Sequence, residues 1–200
     1  MKVYEVEHYM ACATSAMRDA ENAKEIIKEI KAETSIEIEV ITGELEAEII
    51  YENHIAEFLD NNKSYLYVDV GGGSTELTLY HKGKIIVQKS FNIGTVRLLT
   101  NKVKDSTWEE MKEILKDLSK KYENIIGIGS GGNINKVYAI KGAKASKSLS
   151  YDEIKDLYKE MEPLTVEERM QQYIIKEDRA EVIVLALKIY NAICKWGNIE

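Results

Sequence analysis

Apolar and polar positions alternate along this chain in two rhythms, a period of two that marks half-covered strands and a period near 3.6 that marks helices with one buried face. The period of two is cleanest in Ile36-Glu37-Ile38-Glu39-Val40-Ile41, and again where Leu77 and Leu79 alternate with Glu76, Thr78 and Tyr80. Between them, Tyr65-Leu66-Tyr67-Val68 is continuously apolar or aromatic and predicts a strand ending near Asp69. His81-Lys82-Gly83-Lys84 then turns the chain into Ile85-Ile86-Val87 and a third strand through Phe91. Tyr9-Met10-Ala11-Cys12-Ala13 and Glu123-Asn124-Ile125-Ile126-Gly127-Ile128 are expected to be short buried strands.

The helical rhythm begins at Asp19 or Glu21 and runs to Glu33, with Ala23, Ile26, Ile27 and Ile30 on one face. It returns after Thr42-Gly43 with Ala47, Ile49, Ile50, Ile55 and Phe58, and over 107–121 with Trp108, Met111, Ile114, Leu115 and Leu118. A helix over 133–140 follows, and then one capped by Ser150 that holds Ile154, Leu157, Tyr158 and Met161 and ends at Pro163. A short helix starts at Leu164. The longest, 178–195, carries Val182, Leu185, Ile189, Ile193 and Trp196 as its predicted buried stripe. Strands interleaved with helices predict an α/β chain, and polar Asp60-Asn61-Asn62-Lys63-Ser64 divides it into 1–62 and 63–200.

The break between the first two strands of the predicted hairpin, Asp69-Val70-Gly71-Gly72-Gly73-Ser74-Thr75-Glu76, carries the candidate chemistry. Glycines take positive φ without penalty and can point successive N–H groups into one concavity that suits phosphate oxygens. Asp69 at the strand end is placed to hold a divalent cation, directly or through water, and Glu76 to join it across the turn. A Walker loop or a dinucleotide fingerprint would need a helix after the glycines, and here a strand follows.

Three further places matter. Glu46 falls in the first turn of its helix, where the dipole favours the ionised carboxylate; it is placed to accept a proton from water, or simply to complement the dipole beside Glu44 and Glu48. Arg18 lies just past a strand end, where open α/β sheets hold ligands, or serves as a surface cation. Gly129-Ser130-Gly131-Gly132 opens a helix and either turns N–H groups towards an anion or nucleotide, or allows close strand-helix packing.

Composition narrows the setting. With 44% hydrophobic and 30% charged residues the chain is an ordinary globular one, and no run approaches the ~18 apolar residues of a membrane span. The first ten residues are mixed and charged rather than a leader, so a cytoplasmic protein without membrane contact is expected. Cys12 and Cys194 have neither metal-ligand nor redox spacing and read as buried small hydrophobes. A net charge of −7 excludes a broad nucleic-acid surface, so no DNA partner is expected. An anionic substrate then needs local compensation from glycine amides, a cation and a few arginines.

The glycine loop resembles the second phosphate loop, Asp-x-Gly-Gly-Gly-Ser-Thr-Glu, of the exopolyphosphatase and guanosine pentaphosphate phosphohydrolase (Ppx/GppA) family. Ala13-Thr14-Ser15-Ala16-Met17-Arg18-Asp19-Ala20 matches that family's Ala-Thr-Ser-Ala-x-Arg-x-Ala, and Ile41-Thr42-Gly43-Glu44-Leu45-Glu46-Ala47 its Ile-Ser-Gly-x-Glu-Glu-Ala. Gly129-Ser130-Gly131-Gly132-Asn133 sits at its second glycine-rich turn, and Leu45 departs from it where a second acid is usual. The likeness covers nearly the whole chain. It implies an actin-like (ribonuclease H-like, sugar-kinase) α/β fold with a remnant of the first lobe in 1–62 and most of the second in 63–200. It also implies a metal-dependent hydrolase of phosphoanhydrides, cleaving the terminal phosphate of inorganic polyphosphate or guanosine pentaphosphate, and a homodimer. Carried over residue by residue, Glu46 and Arg18 are the expected catalytic pair, Gly71, Gly72, Gly73, Ser74, Thr75, Gly131 and Gly132 the phosphate-binding set, and Asp69 and Glu76 the holders of Mg²⁺ or another divalent ion.

Nothing before Met10 resembles the family's first phosphate loop, Asp-x-Gly-Ser-Asn-Ser, and the strand that follows its long helix has no counterpart before Glu200. The chain is therefore expected to be trimmed at both ends, and a phosphate- or nucleotide-binding module without turnover is the alternative. A sugar or acetate kinase, which shares the fold, is a third reading that acceptor-stimulated ATP turnover would favour.

Overall fold

The computed structural model describes residues 6–43, 45–46, 48–49, 60, 62–142 and 148–200. Three antiparallel strands, β3 (Ser64–Val70), β4 (Thr75–His81) and β5 (Lys84–Phe91), follow from the alternation and the Lys82-Gly83 turn, where both residues have positive φ. β6 (Ile125–Ser130) returns parallel to β3, so the sheet order is β5-β4-β3-β6. The crossover between β5 and β6 consists of two helices, Thr95–Leu99 and Asp105–Lys121.

Strand periodicity gives this sheet two unlike faces. Leu66, Val68, Val70, Leu77 and Leu79 turn to one side and pack with Met111, Leu115, Ile183, Leu187 and Ile193 in the main core. Tyr65, Tyr67, Asp69, Glu76, Thr78 and Tyr80 turn to the other, so Asp69 and Glu76, paired across the ladder, share that face. The sheet thus puts its acids opposite its greasy side.

The last helix, Glu177–Gly197, is not the one-striped helix that its spacing predicts. Ala180, Ile183, Val184, Ala186, Leu187, Ile189, Tyr190, Ile193 and Cys194 are all buried, whereas Val182, Leu185 and Trp196 are only partly so. The reason is that five helices surround it: Thr95–Leu99, Asp105–Lys121, Gly132–Ile140, Tyr151–Met161 and Val166–Tyr173. The Tyr151–Met161 helix is closed by a capping box between Ser150 and Glu153, as its sequence announces, and the Val166–Tyr173 helix by another between Thr165 and Glu168. Among the described residues no helix is long and apolar enough to cross a membrane.

Other expectations shift. β6 is not a buried strand: it is an edge, Ile126 is 40% exposed, and a cavity of about 590 Å³ lies against its open side, away from the acids. The Tyr9 to Ala13 run shortens to β1 (Ala11–Ala13), paired in parallel with β2 (Ile38–Val40) as a two-stranded sheet. Tyr9 and Met10 are exposed there, and so is Cys12, contrary to the buried reading, because no described residue packs over that face. A short helix, Ser15–Asp19, replaces the expected loop after β1, and the next helix starts late, at Ala23. Ala47, Ile50, Ile55 and Phe58 lie outside the described residues.

Cys194 is buried as expected, and burial pushes its thiol up to about 11. One equivalent of a thiol reagent should therefore react quickly with the native protein, at Cys12, and a second only in denaturant. Two fast thiols in native buffer would contradict this packing.

Candidate phosphate-binding and hydrolytic site

The glycine loop takes its form from the Thr95–Leu99 helix beneath it. Thr95 N–H donates to Gly71 O (3.0 Å), Val96 and Arg97 N–H to Gly72 O (2.9 and 3.1 Å), and the Arg97 side chain to Gly73 O (2.8 Å). In a trans peptide the N–H points away from the preceding carbonyl. With those three carbonyls tied down, the N–H groups of Gly72, Gly73 and Ser74 turn to the opposite side, and none is engaged by another described residue. Gly94 makes this approach possible, since a Cβ there would lie 2.4 Å from Gly72 O.

The anion-facing part of the predicted loop is therefore narrower than 71–75. Gly71 N–H donates to Ser74 O (2.9 Å), Ser74 Oγ to Glu76 (2.6 Å), and fully buried Thr75 gives its hydroxyl to Ile93 O (2.6 Å). Arg97 also pairs with Asp19, which makes it a brace for the loop. Ser15 Oγ crowds the loop from the first segment, 2.5 Å from where a Gly73 Cβ would stand.

Three carboxylates meet beside this loop. Glu46 lies at the start of a helical turn set by Thr42, whose carbonyl accepts from Glu46 N–H (3.0 Å) and whose hydroxyl accepts from Leu45 N–H (3.2 Å). Arg18 reaches Glu46 at 3.4 Å while donating to Ile41 O, so the two candidate catalytic residues are brought together. Burial raises the Glu46 pKa, opposed by the Arg18 charge and reinforced by Asp69. Burial also raises Asp69 and Glu76; for Glu76 the charges of Glu46 and Asp69 add to it, while the hydroxyls of Ser74 and Ser90 (3.0 Å) oppose it.

The second glycine-rich turn divides between two places. A Cβ on Gly131, which has φ +95°, would stand 3.1 Å from Asp69 Oδ1, so this residue borders the acids. Gly132 lies one step out, against Arg179, whose guanidinium donates to buried Asn133 (2.6 Å). A groove of about 520 Å³ opens there, with Lys136, Lys176 and Arg179 in its lining. Tyr190 holds the end of β6 by donating to Ser130 O (3.0 Å).

Buried Glu76 and half-buried Asp69, which pair with no cation among the described residues, are what a divalent ion would relieve. Among the described residues no cluster of three or more His, Cys, Asp or Glu could hold a metal alone. Asp69 and Glu76 fit instead an ion such as Mg²⁺ that takes one or two carboxylates and fills its remaining positions with water and substrate oxygens.

A stability test follows from the same strain. An acid whose pKa rises on folding costs nothing below its unfolded pKa, and costs progressively more as pH climbs through its folded one. In chelator, Asp69→Asn should therefore stabilise the protein at neutral pH by about 1 kcal/mol, with the gain vanishing in acid. A neutral-pH melting temperature at or below the wild-type value would refute it.

Ser90 had no signal in the sequence, whereas Ser15 and Asn133 lie inside the matched motifs and were given no role of their own there. For Ser90 the register hid it. A plain hairpin about Lys82-Gly83 would set Lys89 opposite Glu76, but a bulge at Leu79/Tyr80 shifts the pairing by one and brings Ser90 there.

The chain matches the model of the Ppx/GppA phosphatase family over residues 1–196. It is 36% identical over 141 residues to a bifunctional 3-dehydroquinate synthase/phosphatase of Fusobacterium nucleatum, covering 62% of this chain and 21% of that protein. It is 26% identical over 201 residues to a guanosine-5'-triphosphate,3'-diphosphate pyrophosphatase of Aeromonas salmonicida, covering 94% and 40%. The chain thus spans less than half the length of these curated relatives. Among solved structures, an exopolyphosphatase from Cytophaga hutchinsonii superposes with a TM-score of 0.79 at 26% identity, covering 98% of this chain and 70% of that one. The α/β architecture is therefore that of the solved Ppx/GppA proteins, the family that the motifs implied.

Proposed function

The chain belongs to the Ppx/GppA phosphatase family, and on that footing we propose that its cleft hydrolyses the terminal phosphoanhydride bond of inorganic polyphosphate or guanosine pentaphosphate. The observation that carries this reading is the set of three amides at Gly72, Gly73 and Ser74 that no described residue engages, beside a glutamate that is both partly desolvated and held by an arginine.

In this mechanism the terminal phosphate rests on those amides, which donate to its oxygens without having to reorient. Glu46 orients a water for in-line attack and takes its proton; the raised pKa makes it a stronger base than an exposed glutamate, and Arg18 keeps it ionised and in place. Phosphoryl transfer asks for little covalent work from the protein, so position and charge carry the rate. A divalent ion held by Asp69 and Glu76 would supply charge neutralisation at the phosphate oxygens. The remaining phosphates pass Gly131 and reach the groove with Lys136, Lys176 and Arg179 in its lining.

The test is release of inorganic phosphate from long-chain polyphosphate and from guanosine pentaphosphate, with Mg²⁺ and with chelator. Metal-dependent release from either supports the proposal. Tight binding without release would instead favour the phosphate-binding module.

A further inference from the structure

Glu76 is 3% exposed, and its Oε1 accepts from Ser74 Oγ at 2.6 Å and from Ser90 Oγ at 3.0 Å. Ser90 meets a second element as well. A Cβ built on Gly43 would stand 2.7 Å from Ser90 Cβ and 2.9 Å from its Oγ, with Glu76 Oε1 at 3.8 Å. Gly43 directly follows Thr42, whose carbonyl and hydroxyl start the turn that carries Glu46. One small side chain on β5 therefore touches the acid at the glycine loop and the seat of the proposed base.

We propose that Ser90 is a positioning residue that sets Glu46 and Glu76 relative to each other, its hydroxyl fixing the Glu76 carboxylate and its small volume admitting Gly43. This rests on the hydrolase reading above. Two features of the chain agree with it. The bulge that brings Ser90 opposite Glu76 also turns Lys89 to the other face of β5, so no ammonium group neutralises the acid from that strand. The contact leaves no room for Gly43 to grow, because a Cβ there would stand 2.7 Å from Ser90 Cβ, below the ordinary separation of carbon atoms.

The variants separate hydroxyl from volume. Ser90→Ala keeps the size and removes the hydrogen bond; Gly43→Ala keeps the bond and adds bulk; Ser90→Thr keeps the hydroxyl and adds bulk. With polyphosphate as substrate and saturating Mg²⁺, Ser90→Ala should lower kcat about tenfold and Gly43→Ala about a hundredfold, each with KM within about twofold, as expected for misplaced groups in a step governed by position. Ser90→Thr should resemble Gly43→Ala. The double variant Gly43→Ala/Ser90→Gly, which removes the clash, should regain at least about tenfold in kcat over Gly43→Ala, a coupling that independent sites would not show.

Wild-type kcat in both Ser90→Ala and Gly43→Ala, or a double variant no better than Gly43→Ala, overturns the inference while leaving the hydrolase reading in place. A wild-type protein that releases no phosphate overturns the hydrolase reading, and the positioning role falls with it.

Discussion

Glu46→Gln should bind polyphosphate or guanosine pentaphosphate about as tightly as the wild-type protein and release phosphate on the order of 10²- to 10⁴-fold more slowly. The amide keeps the size of the side chain and accepts a hydrogen bond from Arg18, but it cannot take a proton from water. The phosphate contacts lie elsewhere, on the amides of Gly72, Gly73 and Ser74, which is why binding should survive. The pH profile provides a second check. Glu46 works only when ionised and its pKa is raised, so wild-type turnover should fall as pH drops through that raised value, and the residual turnover of Glu46→Gln should lack this acid limb. Equal kcat in the two proteins would remove Glu46 from the mechanism.

The other large effect is expected far from any titratable group. Gly94→Ala places a methyl 2.4 Å from Gly72 O and 2.5 Å from the carbonyl carbons of Gly72 and Gly73, against backbone that has no rotamer to change. Gly94 itself has φ −142°, which any residue adopts, so the penalty is steric rather than conformational. Either the glycine loop moves off the Thr95–Leu99 helix, losing the bonds to Gly71 O and Gly72 O, or the helix moves with it. The expected loss is about 3 kcal/mol of stability, together with loss of phosphate affinity, because the three amides lose their common direction. Urea unfolding and phosphate-release kinetics read the two effects separately. Retention of wild-type stability and KM would mean that the loop is not held in this way.

Much of the site was legible because its motifs are local. Asp69, the three glycines and Glu76 lie within eight residues, and the strand pattern on either side already forces a hairpin whose tip they form. Arg18 and Glu46 were marked by their position after strands and at a helix start, although what joins them, a contact across 28 residues of sequence, was not. Arg97 shows what the sequence leaves unsaid: its place beneath the loop ties it to Gly73 O and Asp19. The exposed Cys12 and the open side of β6 were misread for one reason. Apolar strands announce that they can be covered, and whether anything covers them is a property of the neighbours.

By itself the sequence determined the alternation of strands and helices, the capped helix starts and the glycine-lined hairpin bend, because each depends on residues within a turn or two of one another. Tertiary structure decided which amides of that bend remain open, since only the packing of Thr95, Val96 and Arg97 beneath it ties the carbonyls down. It also decided that Ser90 rather than Lys89 faces Glu76. A single bulged residue moves a whole strand face by one position, and local preferences leave that choice open while contacts across the sheet do not.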